Sequence, residues 1–176
     1  RPSAIQQRAV LPMLRRHDVI AQAQSRTGKT AAFSVGLLNQ IDPSMRATQA
    51  LVLAPTRELA KQIADFVKAL SEYLSVSVLC TVGGASLRDD IRALQKGVHI
   101  VVGTPGRVYD LAANRRALRL DDCAHFVIDE ADEMLARDFK EQIYDLYKFL
   151  PEQAQVCLFS ATMPLDVLEL TKSFMN

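Results

Sequence analysis

The fold of this chain is decided by residues 19–30, Val-Ile-Ala-Gln-Ala-Gln-Ser-Arg-Thr-Gly-Lys-Thr. The apolar run from Val19 to Ala23 predicts a β-strand, and the residues from Lys29 to about Ile41 have the spacing of a helix. A strand that passes through a short polar turn into a helix is the first half of a βαβ unit. We therefore predict an α/β domain built around a parallel sheet.

Five further apolar runs, rich in β-branched residues, recur along the chain. Because each run is apolar throughout, without polar alternation, we expect strands covered on both faces of a sheet. Helical periodicity follows Arg57 and recurs after Phe139. In the first of these helices the residues expected on the core-facing stripe are Leu59, Ile63, Phe66, Val67, Leu70 and Leu74. The predicted fold class is a doubly wound α/β parallel sheet with right-handed crossovers, and residues 1–176 are expected to form a single domain. The runs are Ala50–Ala54, Val76–Val82, Val98–Val102, His125–Ile128 and Val156–Phe159.

The composition is that of an ordinary globular chain. Apolar residues make up 49% and charged residues 23% of the 176 residues, which argues against a disordered or low-complexity protein. No run approaches the roughly 18 apolar residues of a membrane span, so no membrane partner is expected. With 21 Lys and Arg against 20 Asp and Glu, the net charge is +1, unlike the strongly basic totals of many nucleic-acid-binding proteins. Any anionic partner must therefore be held by a local arrangement of groups.

The first residues of the chain indicate that further residues precede it, and the cysteines indicate its cellular compartment. The segment from Arg1 to Gln6 has no initiator Met and no apolar signal region, so we expect residues upstream of it. Cys80, Cys123 and Cys157 are widely spaced and odd in number. Buried, reduced thiols in an intracellular protein, cytoplasmic or nuclear, explain them better than a disulfide or a metal site.

The candidate site lies directly after the predicted strands. In a doubly wound sheet, ligands bind beyond the carboxyl ends of the strands, and those ends lie on one edge of a parallel sheet. The segments that follow the six runs are unusually rich in Gly, Thr, Arg and acidic residues. They are residues 24–30, 55–57, 83–84, 104–107, 129–132 and 160–162.

The first of these segments has the groups that bind the phosphates of a nucleotide. Gly28, Lys29 and Thr30 supply backbone amides at a helix N-terminus, an ammonium for phosphate oxygens and a hydroxyl for Mg²⁺. Asp129 and Glu130 end another strand, where one carboxylate can anchor Mg²⁺ and the other can deprotonate an attacking water. Acids at the start of a helix explain the second pair about as well when it is considered alone. The two pairs together favour nucleoside triphosphate hydrolysis.

Two positions depart from the phosphate-loop pattern. Ala23 replaces the first glycine, which is tolerable where only a small side chain is needed. Arg26 is bulky in a loop that must present its amides at close range, and strain there costs on the order of 1–3 kcal/mol. We expect the Arg26 guanidinium either to occupy the phosphate pocket or to bring an anion into it.

Arginines and glycines after other strands indicate contacts with a nucleic-acid backbone. Arg57 and Arg107 lie at predicted helix starts, where amides, a hydroxyl and a guanidinium can bind phosphate together. Gly83 and Gly84 would let a nucleic-acid strand approach the main chain. For any one of these segments, a capped helix or a turn is a sufficient explanation. Three of them along one sheet edge favour the binding of a phosphate backbone.

Taken together, these motifs resemble the first of the two RecA-like domains of a DEAD-box RNA helicase, in wording closest to the translation initiation factor 4A subgroup. The resemblance extends from Arg1 to Asn176 and implies a RecA-like P-loop NTPase fold. The aromatic residue that the family has upstream of its Q motif is absent from this chain. The matching segments, in family order, are Pro2–Gln6 (Q motif), Ala23–Thr30 (motif I), Pro55–Ala60 (Ia), Gly83–Gly84, Thr104–Arg107 (Ib), Asp129–Asp132 (II) and Ser160–Thr162 (III).

The resemblance implies ATP-dependent unwinding or remodelling of short RNA duplexes, with ATP and Mg²⁺ as cofactors. It implies that Gln6 contacts the base and that motif I, which is Ala23, Gln24, Ser25, Arg26, Thr27, Gly28, Lys29 and Thr30, holds the nucleotide. Lys29 and Thr30 would hold phosphates and metal, Asp129 would organise Mg²⁺ and Glu130 would be the general base. Asp132, Ser160 and Thr162 would couple hydrolysis to RNA handling. The residues implied along the RNA backbone are Arg57, Gly84, Thr104, Gly106 and Arg107.

The family's later motifs, which include arginine fingers, have no counterpart in this chain. A second RecA-like domain of the same protein is therefore an expected partner, beside RNA and protein activators. Without an arginine finger, the rate should fall by about 10³ to 10⁵. We expect this chain alone to hydrolyse ATP very slowly and not to unwind RNA.

Two other functions stay open from the residues. A small-molecule kinase would share Lys29 and Thr30, but it has no use for Gln6, for residues 160–162 or for Arg57 and Arg107. A non-catalytic RNA- or protein-binding clamp, disabled by Arg26, would bind partners without regard to ATP.

Overall fold

The structure is a computed structural model that describes residues 1–25 and 27–175. Its centre is one six-stranded sheet in which every adjacent pair is parallel, in the order β1-β6-β5-β2-β4-β3. The strands are β1 (Val19–Gln22), β2 (Ala50–Leu53), β3 (Val78–Thr81), β4 (Ile100–Gly103), β5 (His125–Asp129) and β6 (Gln155–Ser160).

Helices connect the strands and cover both faces of the sheet. A π-helical turn at Asp110–Asn114 continues the helix Pro105–Tyr109. Among the described residues, no helix combines the length and the apolarity that a membrane crossing requires. The helices are α1 (Ala4–Leu14), α2 (Lys29–Leu38), α3 (Arg57–Leu70), α4 (Leu87–Lys96), α5 (Pro105–Tyr109), α6 (Ala131–Ala136), α7 (Lys140–Lys148) and α8 (Leu165–Phe174).

Two apolar layers, one on each face of the sheet, form the core. Successive side chains of a strand point to opposite faces, so Val52 packs under α1, α2 and α3 while Leu51 and Leu53 pack under α5 to α8. Strands with both faces buried read as continuous apolar runs, which explains the pattern seen in the sequence. The predicted doubly wound α/β sheet is confirmed, and all six predicted strands are present.

The helix after Arg57 buries only part of the predicted stripe, because Ile63 and Val67 are buried as predicted and other members of the stripe are not. Phe66 and Leu70 are exposed by 39% and 43%, and the buried side is formed by Ala60, Ile63, Ala64 and Val67. The small alanines let α3 lie close to the sheet, and this turns the larger side chains outward. The helix ends at Leu70, where Ser71 caps it, before the predicted stripe is complete.

The strand order divides the carboxyl edge of the sheet into two halves. β1, β6 and β5 are neighbours, so the segments after Gln22, Ser160 and Asp129 lie together. β2, β4 and β3 form the other half and carry the segments that contain Arg57, Thr104 and Gly84. The fold therefore places a candidate nucleotide site beside a candidate nucleic-acid groove.

Candidate nucleotide site and adjoining groove

A cavity of about 490 Å³ opens at the ends of β1, β6 and β5. Its lining comes from the phosphate loop, from the end of β5 with α6, and from the loop after β6. The lining residues named in the sequence argument are Ala23, Ser25, Lys29, Glu130, Asp132 and Thr162. Thr30 lies in the first turn of α2, half-buried.

Gln6 is held against the phosphate loop. Ser3 and Gln6 form a capping box at the start of α1, and Gln6 Nε2 also donates to the carbonyl oxygen of Gly28 at 3.3 Å. Gly28 has φ +85°, and a Cβ there would lie 2.7 Å from Gln6 Nε2. The left-handed backbone thus favours glycine, and a larger residue would also push the Gln6 side chain away from the loop. Thr27 and Gln24 close the loop, because the Thr27 hydroxyl donates to the Gln24 carbonyl oxygen at 2.8 Å.

Lys29 joins the phosphate loop to the end of β5. Its Nζ lies 2.9 Å from Asp129 Oδ1 and 3.4 Å from Glu130 Oε1. Lys29 is 5% exposed and Asp129 is fully buried, so the ammonium and the carboxylate face each other away from water. An ammonium placed there can attract the oxygens of a phosphate that enters the cavity.

The environment of Asp129 suits a divalent cation. Burial raises the pKa of its carboxyl, and the Lys29 ammonium works in the opposite direction. Oδ2 is buried, and no hydrogen-bond donor among the described residues satisfies it. A buried carboxylate oxygen without a donor is a natural ligand for Mg²⁺, which favours one or two carboxylates together with water and phosphate oxygens. The described residues contain no cluster of three or more His, Cys, Asp and Glu that would form a metal site without phosphates.

Glu130 has a backbone conformation that directs its carboxylate into the cavity. It precedes α6 with φ 54° and ψ 55°, a left-handed conformation that costs a non-glycine residue on the order of 1–3 kcal/mol. Its carboxylate does not cap α6 and accepts from the hydroxyl of Ser25 at 3.3 Å and from Lys29. The geometry therefore favours a site residue over the alternative of acids that merely start a helix.

Asp132, Ser160 and Thr162 form one hydrogen-bonded network. Ser160 Oγ accepts from the backbone amide of Asp132 at 3.1 Å, and Asp132 Oδ2 accepts from the Thr162 hydroxyl at 2.7 Å. Nearby, Gln22 Nε2 donates to the carbonyl oxygen of Ala161. The loop after β6 is thus tied both to α6 and to the end of β1.

The second half of the sheet edge carries a groove of about 480 Å³ that includes most of the predicted backbone-binding residues. Arg57 is exposed at the start of α3, and its guanidinium lies against Gly84, which has φ +86°. Thr104 and Gly106 begin α5. The lining residues are Pro55, Thr56, Arg57, Glu58, Gly83, Thr104, Gly106, Arg107, Arg137 and Phe139.

Arg107 is bound to the protein itself. Nη1 lies 3.1 Å from Asp90 Oδ2 and Nη2 donates to the carbonyl oxygen of Ala85 at 3.0 Å, which leaves the side chain 12% exposed. Asp90 also accepts from the hydroxyl of Thr81 at 2.6 Å. These contacts fix one edge of the guanidinium and so orient it in the groove.

Three residues near the two cavities were missed by the sequence reasoning. Glu133 lines the nucleotide cavity, while Arg137 and Phe139 line the groove. They lie in or just after α6, where the sequence has no strand end and no glycine to indicate a site. A helix of six residues that begins at the cavity and ends at the groove is the structural reason for their position.

Two of the three cysteines are buried, and Arg26 is not among the described residues. Arg26 lies outside the described residues, so its predicted position in the phosphate pocket stays a prediction. Cys123 and Cys157 are buried free thiols, as predicted. Cys80 is only half-buried, because β3 is an edge strand of the sheet and has a neighbour on one side.

Comparison with known proteins identifies the family of this arrangement. The DEAD/DEAH box helicase family matches residues 3–171. The chain belongs to the DEAD/DEAH box helicases. It is similar to the ATP-dependent RNA helicase eIF4A of Neurospora crassa, with 59% identity over all of this chain and 44% of that protein. The eIF4A of Schizosaccharomyces pombe is 60% identical over all of this chain and 45% of its own length. This DEAD-box chain thus spans less than half the length of these relatives.

Solved structures of DEAD-box proteins have the same fold. A DEAD box protein from Methanococcus jannaschii superposes with a TM-score of 0.95 and 36% identity, over 99% of this chain and 48% of that one. A Dbp5 variant from S. cerevisiae, solved with Nup159, a Gle1 variant, IP6 and ADP, has a TM-score of 0.89 and 37% identity over 99% of this chain and 46% of that one. The predicted membership of the DEAD-box family, with a RecA-like fold, is confirmed.

Proposed function

We propose that this chain is the ATP-binding half of an ATP-dependent RNA helicase whose full-length form uses RNA-stimulated ATP hydrolysis to unwind short duplexes or remodel RNA–protein complexes. The observation that carries the proposal is the Lys29 ammonium, 2.9 Å from buried Asp129 and 3.4 Å from Glu130, in a cavity beside a groove lined by arginines. The relatives named ATP-dependent RNA helicase and the Dbp5 structure with ADP support it.

The phosphate loop would bind the phosphates of ATP. The backbone amides at the start of α2 and the Lys29 ammonium are the positive groups at the nucleotide cavity. Gln6, held by Ser3 and by Gly28, would read the base. Thr30 and Asp129 would hold Mg²⁺, which neutralises charge on the phosphate oxygens when it is bound. Asp129 Oδ2 is the oxygen left for this purpose.

Glu130 would accept the proton of the attacking water. Without nucleotide, its carboxylate is engaged by Lys29 and Ser25. Phosphate oxygens compete for the same ammonium, so entry of ATP would release Glu130 to act as a base. Asp132, Ser160 and Thr162 would transmit the change, since their hydrogen bonds join the cavity to the loop after β6.

The groove would bind the RNA backbone without reading its sequence. Arg57, Gly84, Thr104, Gly106 and Arg107 offer guanidinium groups, a hydroxyl and accessible main chain, which are groups for phosphate and not for bases. A second RecA-like domain of the same protein would complete the catalytic site, with the help of protein activators. The full-length protein would act inside the cell, in the cytoplasm or the nucleus. This chain alone would then hydrolyse ATP slowly.

Nucleotide binding by the chain and by its Arg26→Gly variant tests the proposal. A fluorescent ATP analogue with Mg²⁺ should bind the Arg26→Gly variant more tightly than the parent chain, and it should lose affinity for the Lys29→Ala variant. Equal binding by all three proteins would contradict a nucleotide site at the phosphate loop. RNA binding that is unaffected by nucleotide even in the Arg26→Gly variant would favour a non-catalytic clamp.

A further inference from the structure

Glu133 and Arg137 lie one helical turn apart and connect the nucleotide cavity with the groove. Glu133 lines the cavity and Arg137 lines the groove. Arg137 Nε donates to Glu133 Oε1 at 3.1 Å, and Nη2 lies 3.1 Å from the same oxygen. Both contacts use the same carboxylate oxygen. The remaining nitrogen, Nη1, has no hydrogen-bond partner among the described residues. The Arg137 side chain stays 51% exposed.

The Glu133 carboxylate lies between groups of opposite charge. The neighbouring Glu130 carboxyl and partial burial raise the pKa of Glu133, and Arg137 lowers it. Glu130 in turn contacts Lys29 and Ser25. From the cavity to the groove, charged groups therefore follow one another in the order Lys29, Glu130, Glu133 and Arg137.

The groove offers few guanidinium groups that are open to a ligand. Arg107 is nearly buried by its contacts with Asp90 and Ala85, whereas Arg57 and Arg137 are exposed. Phe139 is half-buried beside Arg137 and forms an apolar wall. A planar guanidinium with an unpaired Nη group suits a phosphate oxygen, and an exposed ion pair of this kind is worth only about 0–1 kcal/mol to the fold. The pair can therefore open at little cost.

We propose that Arg137 binds a phosphate group of the RNA backbone in the groove, and that Glu133 is a positioning residue which holds Arg137 there in the absence of RNA. This inference rests on the proposed function. RNA phosphate competes with Glu133 for the Arg137 guanidinium. RNA binding therefore weakens the contact that holds Glu133, which lies near Glu130 in the nucleotide cavity. The two cavities are linked through this exchange of partners.

Binding of a fluorescein-labelled decauridylate, followed by anisotropy across a range of salt concentrations, tests the role of Arg137. Arg137→Ala should weaken binding about 3- to 10-fold and reduce the slope of log K against log salt by about 0.7, the contribution of one phosphate contact to a single strand. Arg115→Ala is the matched control, because Arg115 is 52% exposed, lies 3.4 Å from Asp110 and is outside both linings. Arg137→Lys should keep the salt slope, since the charge is retained.

Glu133→Gln tests the positioning role. Loss of the competing carboxylate should tighten RNA binding about 2- to 3-fold when Arg137 is present and should have no effect in the Arg137→Ala background. Tightening of equal size in both backgrounds would overturn the role of Glu133. Equal RNA affinities of the Arg137→Ala and Arg115→Ala variants would overturn this inference but not the proposed function. Failure of the parent chain to bind RNA at low salt would overturn the proposed function as well. Circular dichroism of each variant verifies the fold.

Discussion

Thr162 holds Asp132 by two bonds, because its backbone amide and its hydroxyl both donate to Asp132 Oδ2, at 3.2 and 2.7 Å. Burial opposes the ionised carboxyl, but the hydrogen bonds from Thr162 and from neighbouring groups outweigh it and lower the pKa of Asp132. The loop after β6 is thus attached to α6 through a carboxyl group whose ionised form these bonds favour.

Replacement of the Thr162 hydroxyl should make the unfolding free energy of the chain vary less with pH in the acidic range. A folded-state pKa below the ordinary value of about 3.9 adds stability above pH 4, and this stability disappears as the pH falls through the folded pKa. Thr162→Val should therefore cost about 1 kcal/mol of unfolding free energy at pH 7 and much less where Asp132 is protonated. Urea unfolding at several pH values measures both quantities. In the Asp132→Asn background, the cost of Thr162→Val should no longer vary with pH between 3 and 7.

Removal of Lys29 should destabilise the chain even without nucleotide. Lys29→Met leaves the fully buried Asp129 carboxylate without its cation, and breaking such a pair costs about 3 kcal/mol. A second substitution, Asp129→Asn, should recover most of this loss without restoring nucleotide binding. Lys148→Met removes a 75% exposed lysine and serves as the control. Equal urea midpoints for Lys29→Met and Lys148→Met would contradict the buried pair.

Alanine at Gly84 should disturb the groove. The left-handed φ of +86° strains any other residue, and a Cβ would lie 2.8 Å from Arg57 Nη1. Gly84→Ala should therefore cost about 1 kcal/mol and weaken RNA binding by moving Arg57. A methyl group added at Gly106 would meet no atom within 4 Å, so Gly106→Ala should change the unfolding free energy by less than about 0.5 kcal/mol. Thermal unfolding compares the two variants, and RNA anisotropy measures the effect of Gly84→Ala against the parent chain.

The three thiols should differ in reactivity toward iodoacetamide. Burial raises the pKa of Cys123 to about 12 and that of Cys157 to about 12, so neither forms a thiolate at pH 8. Burial also raises the pKa of Cys80, but that side chain is partly accessible. Mass spectrometry should find slow alkylation at Cys80 in the native chain and labelling of all three in urea. Early modification of Cys157 would contradict the packing of β6.

Much of the fold and of the site could be predicted, because strands buried on both faces produce apolar runs and their ends carry the chemical groups. The order of the strands could not be predicted, since parallel strands pair through backbone atoms that are the same in every residue. The left-handed backbone of Glu130 and the contacts that hold Arg107 depend on packing between distant segments. Arg137 is exposed on a short helix, and only the position of that helix between two cavities distinguishes it from other surface arginines.

The position of β6 in the sheet has a consequence for biosynthesis. The only described partner of β1 is β6, so the strand that carries the phosphate loop cannot complete its pairing until Gln155–Ser160 has emerged from the ribosome. β5 is also completed by β6. Contacts between such distant segments form late in folding. A nascent chain that ends before residue 155 should therefore lack the nucleotide cavity altogether, and the proposed ATP site would form only when the sheet is complete.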